Sequence, residues 1–270
     1  MTSINAYKMD GLGNDFIIID RRKNSINLTR EKIIELGSRS QIGFDQIIFI
    51  EKEKENSFPI TIFNSDGGEV SACGNGSRCV AYLLGKKLNT KEIKLKTNNR
   101  ILNAKLVGNL QVKLEMGKPL FDYADIPLSK KINSANITLE IGNREFTDGF
   151  CVNIGNPHIV FFIDDCFKYN LKEIGPLIEN HELFPEKINV TFAQIKESNS
   201  SLVNVWERGA GLTKACGTAA CATGVAAFEK KISGNNNNIH FKGGYLNVEY
   251  DRVISMTGPV SDIKELRINL

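Results

Sequence analysis

The sequence predicts an α+β protein made of two copies of one domain-sized unit. An aromatic residue, a polar residue, a glycine-containing loop and then Ala-Cys-Gly occur twice in this order, and the two cysteines, Cys73 and Cys216, are 143 positions apart. Around each cysteine, short runs of alternating apolar residues predict strands, and a longer run with helical spacing follows. Each unit is therefore predicted to be a mixed module, rich in antiparallel strands, around one principal helix.

Other segments recur at almost the same offset. The segment that begins at Gly13-Asn14 is echoed at Gly155-Asn156, and Gln46–Phe49 is echoed at Asn189–Phe192. A period of this length is far too long for a solenoid repeat. The pattern is typical of a duplicated domain that presents one cysteine at a helix start in each copy.

In the first unit, alternation predicts the strands and apolar spacing predicts two helices. A capping-type Thr29 precedes Ile33, Ile34 and Leu36, which are predicted to lie on one helix face. The glycines at 11 and 13 are read as a turn, because no helix follows them and a phosphate loop would need one. The predicted strands are 3–9, 14–20, 46–50, 58–63, 93–97, 100–107 and 110–116, and the helices are 29–38 and Cys73 to about residue 87.

The second unit follows a crossing segment at residues 117–127. Pro176 is expected to kink or break the helix that contains it. The predicted strands are 137–141, 145–152, 158–163, 188–194, 201–206 and three more that reach 256, with helices at 169–180 and from Cys216 to about 231. The tail, residues 260–270, is one strand more than the repeat requires.

Composition excludes several classes of protein. With 270 residues and 41% hydrophobic residues, the chain can form two packed domains, and a net charge of +3 argues against nucleic-acid or membrane partners. Charged residues, Lys8 and Asp10 among them, interrupt any N-terminal signal region. Six cysteines are too few for a disulfide framework in a chain of this length. We therefore expect reduced thiols and a cytoplasmic location.

The cysteine positions themselves point to chemistry. Gly74-Asn75-Gly76 would open a helix directly after Cys73, and small residues let a ligand approach the backbone closely. Helix N-termini lower thiol pKa values and bind carboxylates. A reactive thiol beside an anion site is one interpretation, and a small buried core thiol is an equally good one for a single cysteine.

Two such thiols could form a redox disulfide, bind a metal, or exchange a proton across one carbon. The close Cys-x-x-Cys spacing of redox pairs is absent. The gaps from Cys73 to Cys79 and from Cys216 to Cys221 fit no common zinc site. Proton exchange needs a thiolate and a thiol on opposite faces of the carbon, and a duplicated fold can provide that arrangement.

The motifs resemble those of the diaminopimelate epimerase family. One departure is Ala219-Ala220-Cys221, where the family commonly has Gly-Ala-Cys. The matching segments are Met9–Phe16, Phe63–Gly67, Ala72–Cys79, Asn153–His158, Glu207–Gly211 and Ala215–Thr218.

The resemblance implies an epimerase that needs no cofactor and no metal and that interconverts LL- and meso-2,6-diaminopimelate in lysine and peptidoglycan precursor synthesis. It implies that Cys73 and Cys216 are the base and acid, and that His158 and Glu207 assist at the reacting centre. The implied substrate-binding residues are Asn14, Gln46, Asn64, Gly74, Asn75, Asn156, Asn189, Glu207, Arg208, Gly217 and Thr218.

The resemblance also implies an architecture and an assembly. Each of the two pseudo-symmetric domains would be an antiparallel strand barrel around a central helix. The domains would be 1–118 and 119–260, the strand in 261–270 would return to the first domain, and the protein would be a homodimer.

Simpler interpretations stand beside these. Taken alone, Asn14, Asn75 and Asn156 would be ordinary turn residues, and the shared offset favours a functional role for Asn14 and Asn156. His158 could be a half-buried strand residue, and Arg208 could be a surface charge. A proline or hydroxyproline racemase-type enzyme shares the two-thiol logic, although Arg208 and the asparagines favour a substrate with a second charged end. A binding protein of the same fold would not need two thiols.

Overall fold

The computed structural model describes residues 3–24, 26–70, 73–98 and 100–269. Ser71 and Ala72, part of the first cysteine motif, lie outside the described residues. The chain divides into two compact units. Met1–Glu115 and Thr257–Leu270 form the first unit, and Met116–Met256 form the second.

The chain as far as Gly117 forms eight strands and two helices among its described residues. Thr29 caps the first helix, since its side chain accepts a hydrogen bond from the Lys32 backbone. In order, the elements are β1 (Ser3–Gly11), β2 (Asn14–Asp20), α1 (Arg30–Gly37), β3 (Gln46–Ile50), β4 (Phe58–Asn64), β5 (Glu69–Val70), α2 (Gly74–Leu88), β6 (Glu92–Lys96), β7 (Ile101–Gly108) and β8 (Gln111–Gly117).

The rest of the described chain repeats this order with one strand before it and one after it. Pro176 lies inside the third helix, which continues past it to Glu179, so the expected break does not occur. In order, the elements are β9 (Ile137–Ile141), β10 (Arg144–Asn153), β11 (Pro157–Phe162), α3 (Leu171–Glu179), β12 (Asn189–Glu197), β13 (Ser200–Glu207), β14 (Gly211–Leu212), α4 (Gly217–Glu229), β15 (Asn236–Phe241), β16 (Gly244–Asp251), β17 (Val253–Pro259) and β18 (Lys264–Asn269).

Strand pairing in the two units follows one plan. β2 pairs with β3 in parallel, as β11 does with β12, and the β3–β4 and β12–β13 pairs are both antiparallel. The parallel β4–β6 pair likewise corresponds to β13–β15. The register agrees as well, since Phe63 faces Glu69 where Trp206 faces Leu212. The duplication read from sequence is thus present in the hydrogen bonding, and each sheet mixes antiparallel with a few parallel pairs.

The last strand of the chain completes the first unit. β18 pairs with β1 in antiparallel register, with Ile4 opposite Ile268, and both side chains belong to one apolar cluster. In the second unit, β9 pairs with β10 in the corresponding place. In the second unit this partner strand, β9, directly precedes β10 in the sequence. In the first unit the equivalent partner of β1 is β18, which comes from the C-terminal end of the chain.

One buried helix lies at the centre of each unit. α2 is buried from Asn75 to Gly85, and most residues of α4 are buried from Gly217 to Ala227. A helix that is buried all round belongs in a core, and each of the two contacts five strands of its own unit. The predicted α+β class, with strands wrapped around a central helix in two similar units, is confirmed. Among the described residues, no helix is long and apolar enough to cross a membrane.

Candidate functional site

Cys73 is the N-cap residue of α2. The backbone N–H of Gly76 donates to the Cys73 sulfur at 3.4 Å, and the Cys73 thiol lies 3.9 Å from Asn14 Oδ1. Gly76 is required here, because a Cβ on it would lie 2.6 Å from the Ile48 side chain. The chain thereby holds a half-buried thiol at the positive end of a buried helix.

Amide side chains lie at the ends of the strands β2, β3 and β4, and one of them, Asn14, is the residue near this thiol. Asn14 Nδ2 donates to Asp45 at 2.8 Å. Gln46 faces Asn64 across the β3–β4 pair, and its Nε2 donates to Asn64 Oδ1 at 2.9 Å. The sequence-predicted residues Asn14, Gln46 and Asn64 thus lie in one group in the first unit, and they are neutral hydrogen-bonding groups.

Asn75 directs its side chain into the protein. Its Oδ1 accepts from Arg78 Nη2 at 2.9 Å, and both residues are buried. Any contact of Asn75 with a ligand is therefore left to its backbone. Gly74 and Asn75 are the first residues of α2, where backbone N–H groups have no partner inside the helix.

Cys216 occupies the corresponding N-cap of α4. It is 5% exposed, and its sulfur lies 3.4 Å from Thr218 Oγ1. Burial, and then the negative charge of Glu207, raise the pKa of the Cys216 thiol well above its usual value. Cys216 is therefore protonated at neutral pH.

Glu207 ends β13 and is partly buried. Burial raises the pKa of its carboxyl, and the neighbouring Thr213 and Cys216 side chains offset part of that rise. The Glu207 carboxyl and the Cys216 thiol are thus hydrogen-bonded neighbours.

His158, on β11, is completely buried, more so than the half-buried strand position that the simpler interpretation expected. Its Nε2 lies 3.0 Å from Asn156 Oδ1, which can only accept, so Nε2 carries the proton. Burial, and to a smaller extent the charge of Arg208, lower the pKa of His158 to about 3. The imidazole is neutral, and its Nδ1 has no hydrogen-bond partner among the described residues.

Asn189 holds Arg208 in place. Asn189 is buried, its Oδ1 accepts from the Arg208 backbone N–H at 3.0 Å, and its Nδ2 donates to the Pro157 carbonyl at 2.7 Å. The exposed Arg208 guanidinium donates through Nη1 to the Glu186 carbonyl at 2.8 Å. The guanidinium is thus oriented from its own unit while it keeps N–H groups for a ligand.

The structure adds residues that the sequence did not point out. Asp45 anchors Asn14 in the first unit. Glu179, at the end of α3, accepts from Trp206 Nε1 at 2.7 Å and from the Gly209 backbone at 3.0 Å. An acidic residue directly before a buried strand was the available signal for Asp45, and Glu179 had none beyond its helix end.

The remaining cysteines belong to the cores. Cys79 and Cys221 are fully buried, and burial raises the pKa of Cys79. All six cysteines lie in the described ranges and are thiols. No cluster of His, Cys, Asp or Glu side chains in residues 3–24, 26–70, 73–98 and 100–269 has the arrangement of a metal site.

Known proteins match the whole chain. The sequence model described as diaminopimelate epimerase matches residues 6–121 and 150–263. A diaminopimelate epimerase of Pelagibacter ubique is 51% identical over 99% of both chains. A second diaminopimelate epimerase, from the Wolbachia of Brugia malayi, is 40% identical over 96% of this chain and 99% of its own.

Solved structures agree in fold. A PhzF-family phenazine biosynthesis protein of Enterococcus faecalis superposes with a TM-score of 0.72 over 100% of both chains, at 13% identity. That likeness shows a shared fold alone. The sequence matches go further and confirm the family expected from the motifs: the chain belongs to the diaminopimelate epimerase family of isomerases.

Proposed function

We propose that this protein interconverts LL-2,6-diaminopimelate and meso-2,6-diaminopimelate by passing the α-proton between Cys73 and Cys216, without a cofactor or a metal. The observation that carries the proposal is the equivalence of the two thiols. Each is the N-cap residue of the buried helix of its unit. One cysteine removes the proton while the other, protonated, delivers one to the opposite face of the carbon.

The two helix starts supply the stabilising charge. In the proposal, the backbone N–H groups of Gly74, Asn75, Gly217 and Thr218 hold the carboxylate of the reacting centre. Removing the α-proton places negative charge on that carboxylate, and fixed N–H donors stabilise this charge more than they stabilise the substrate. The inward-facing side chain of Asn75 supports a backbone role for this residue.

Glu207 and His158 assist the thiols in different ways. Glu207, next to Cys216, takes up or releases the proton that Cys216 exchanges. His158 is neutral, and its buried Nδ1 is an acceptor without a partner among the described residues. We propose that this nitrogen accepts a hydrogen bond from the substrate side of the site.

The far end of the substrate carries a second carboxylate and amine. We assign it to Arg208, as a charged fork, and to neutral side chains that orient it. The neutral residues in this assignment are Asn14, Gln46, Asn64, Asn156 and Asn189.

We also propose that the protein works in the cytoplasm as a homodimer, and that the two compact units are its two catalytic domains. A biosynthetic amino-acid isomerase acts where its substrate is made. Light scattering of the purified protein tests the dimer, since a mass of one 30.0 kDa chain contradicts it.

The deciding experiment measures conversion of LL-diaminopimelate to the meso form with no cofactor added. Cys73→Ala and Cys216→Ala are each expected to abolish conversion, because each removes one proton carrier. Cys166→Ala is the matched control, since Cys166 is a buried thiol outside the site. Turnover near that of the control in either variant would rule out the two-thiol mechanism. Faster racemisation of proline than of diaminopimelate would favour a racemase of the proline type.

A further inference from the structure

Asp45 fixes which end of the Asn14 amide faces Cys73. One Asp45 oxygen, Oδ2, accepts from Asn14 Nδ2 at 2.8 Å and from the Asp15 backbone N–H at 3.1 Å. An ionised carboxylate can only accept hydrogen bonds. The NH₂ end of Asn14 must therefore point to Asp45, and its oxygen is left 3.9 Å from the Cys73 sulfur.

The carboxylate of Asp45 is itself held firmly. Its other oxygen accepts from Arg39 Nη2, and the same guanidinium donates through Nη1 to Asp15 at 2.7 Å. Lys8 lies 3.4 Å from Asp15. Two carboxylates and two cations thus form one balanced cluster behind Asn14.

We infer that Asp45 is a positioning residue, which makes Asn14 present a hydrogen-bond acceptor to Cys73 and so favours the protonated thiol. The inference rests on the proposed role of Cys73. The Gly76 N–H favours the thiolate at the same sulfur, and an amide N–H from a reversed Asn14 would add to it. Asp45 prevents that reversal and keeps Cys73 able to deliver a proton as well as to remove one.

Thiol titration tests this without turnover. The measurement is the rate of Cys73 alkylation by iodoacetamide against pH, followed by mass spectrometry in the Cys216→Ala background. In Asp45→Asn the partner of Asn14 can offer a donor, so Asn14 can reverse. We expect the pKa of Cys73 to fall by about one unit, from exchanging an acceptor for a donor.

Asp15→Asn is the matched control for charge. It removes one negative charge from the same cluster, and the Asp45–Asn14 hydrogen bond remains. The charged groups that act on the neighbouring Cys79 thiol, Arg78 on α2 and Asp10 on β1, are unchanged in both variants. The shift in Asp45→Asn should exceed the shift in the control. Measured against Asn14→Ala instead of the wild type, the same Asp45→Asn change should give only the control shift, because Asp45 then has no amide to orient.

Two results would overturn the inference. One is an equal shift in Asp45→Asn and Asp15→Asn. The other is a raised pKa of Cys73 in the single variant Asn14→Ala. This variant leaves Asp45 unchanged, so it tests the inference even if Asp45→Asn does not fold. Losing an acceptor should lower the pKa of Cys73, so a rise would mean that a donor faced the thiol. Failure of the proposed function would show elsewhere, as turnover retained by Cys73→Ala.

Discussion

Replacing Arg208 with methionine removes a guanidinium and leaves an unbranched side chain. The hydrogen bond that orders this loop, from the Arg208 backbone to Asn189, does not involve the side chain and survives the change. Within the described part of the chain, the change removes the hydrogen bond from Nη1 to the Glu186 carbonyl and the charge of Arg208 near His158. The variant therefore isolates what the guanidinium does for the substrate.

The size of the effect follows from the bonds still available. With one nitrogen committed to Glu186, the remaining N–H groups can make about two charge-assisted bonds to a carboxylate. Each contributes about 1.5–3 kcal/mol. Taking the lower end for an exposed group, about 3 kcal/mol is lost, which lowers kcat/KM on the order of 100-fold. We expect kcat to fall and KM to rise, because binding of the distal carboxylate also orients the reacting end of the substrate.

Lysine separates this role from any other, since it is diaminopimelate without the distal carboxylate. The assay is α-hydrogen exchange in deuterated water, followed by NMR, for both substrates with the intact enzyme and with Arg208→Met. The variant should lose activity towards diaminopimelate while its low activity towards lysine stays constant. Arg208→Lys is the control that keeps the positive charge but loses the two parallel N–H donors of the guanidinium. Its activity towards diaminopimelate should lie between that of the intact enzyme and that of Arg208→Met.

A distal carboxylate bound elsewhere would give a different pattern. An equal loss for lysine and diaminopimelate in Arg208→Met would show that Arg208 acts at the reacting end or through folding. Lysine turning over as fast as diaminopimelate in the intact enzyme would show that no group recognises the second carboxylate.

Two further changes test the second unit. In Glu179→Gln one of the two donors, Trp206 Nε1 or the Gly209 N–H, loses its acceptor. We therefore expect the free energy of unfolding, measured in urea, to fall by about 1–3 kcal/mol, and KM to rise. An unchanged KM would show that Glu179 does not position the Arg208 loop. Folding lowers the pKa of His158 from 6.5 to about 3, so as the pH falls the unfolded chain binds a proton at His158 before the folded chain does. The free energy of unfolding therefore falls between pH 6.5 and about pH 3, by at most about 1.4 kcal/mol per pH unit. His158→Gln should flatten that slope in urea unfolding between pH 7 and pH 4, and an unchanged slope would mean that His158 is not buried neutral.

Sequence periodicity predicted most elements because it reports which side chains face a core. The bounds of β2, β3 and β9 are those that alternation predicted. The two-residue strands β5 and β14 were missed, since two residues carry no periodicity. The parallel pairs were missed too, because pairing direction depends on contacts between distant segments rather than on local pattern.

The candidate site was only partly readable for the same reason. The motifs identified Cys73 and Cys216 by their place before a helix. They could not show that Asn75 turns inward to Arg78, or that Asp45 holds Asn14, since these are tertiary contacts. The full burial of His158 was missed because β11 is covered on both faces, which removes the alternation that would have indicated its environment.

The duplication explains why two thiols that are equivalent in position differ in surroundings. The strands give both copies the same register, so that Phe16 faces Gln46 where His158 faces Asn189. At three corresponding positions the first copy carries neutral side chains, whereas the second carries ionisable ones. The corresponding pairs, first copy before second, are Phe16 and His158, Asn64 and Glu207, and Ser65 and Arg208. In the proposed mechanism, the shared backbone supplies the two helix starts for one proton exchange. In the same proposal, the charged groups of the second copy distinguish the two ends of a substrate that is itself nearly symmetric.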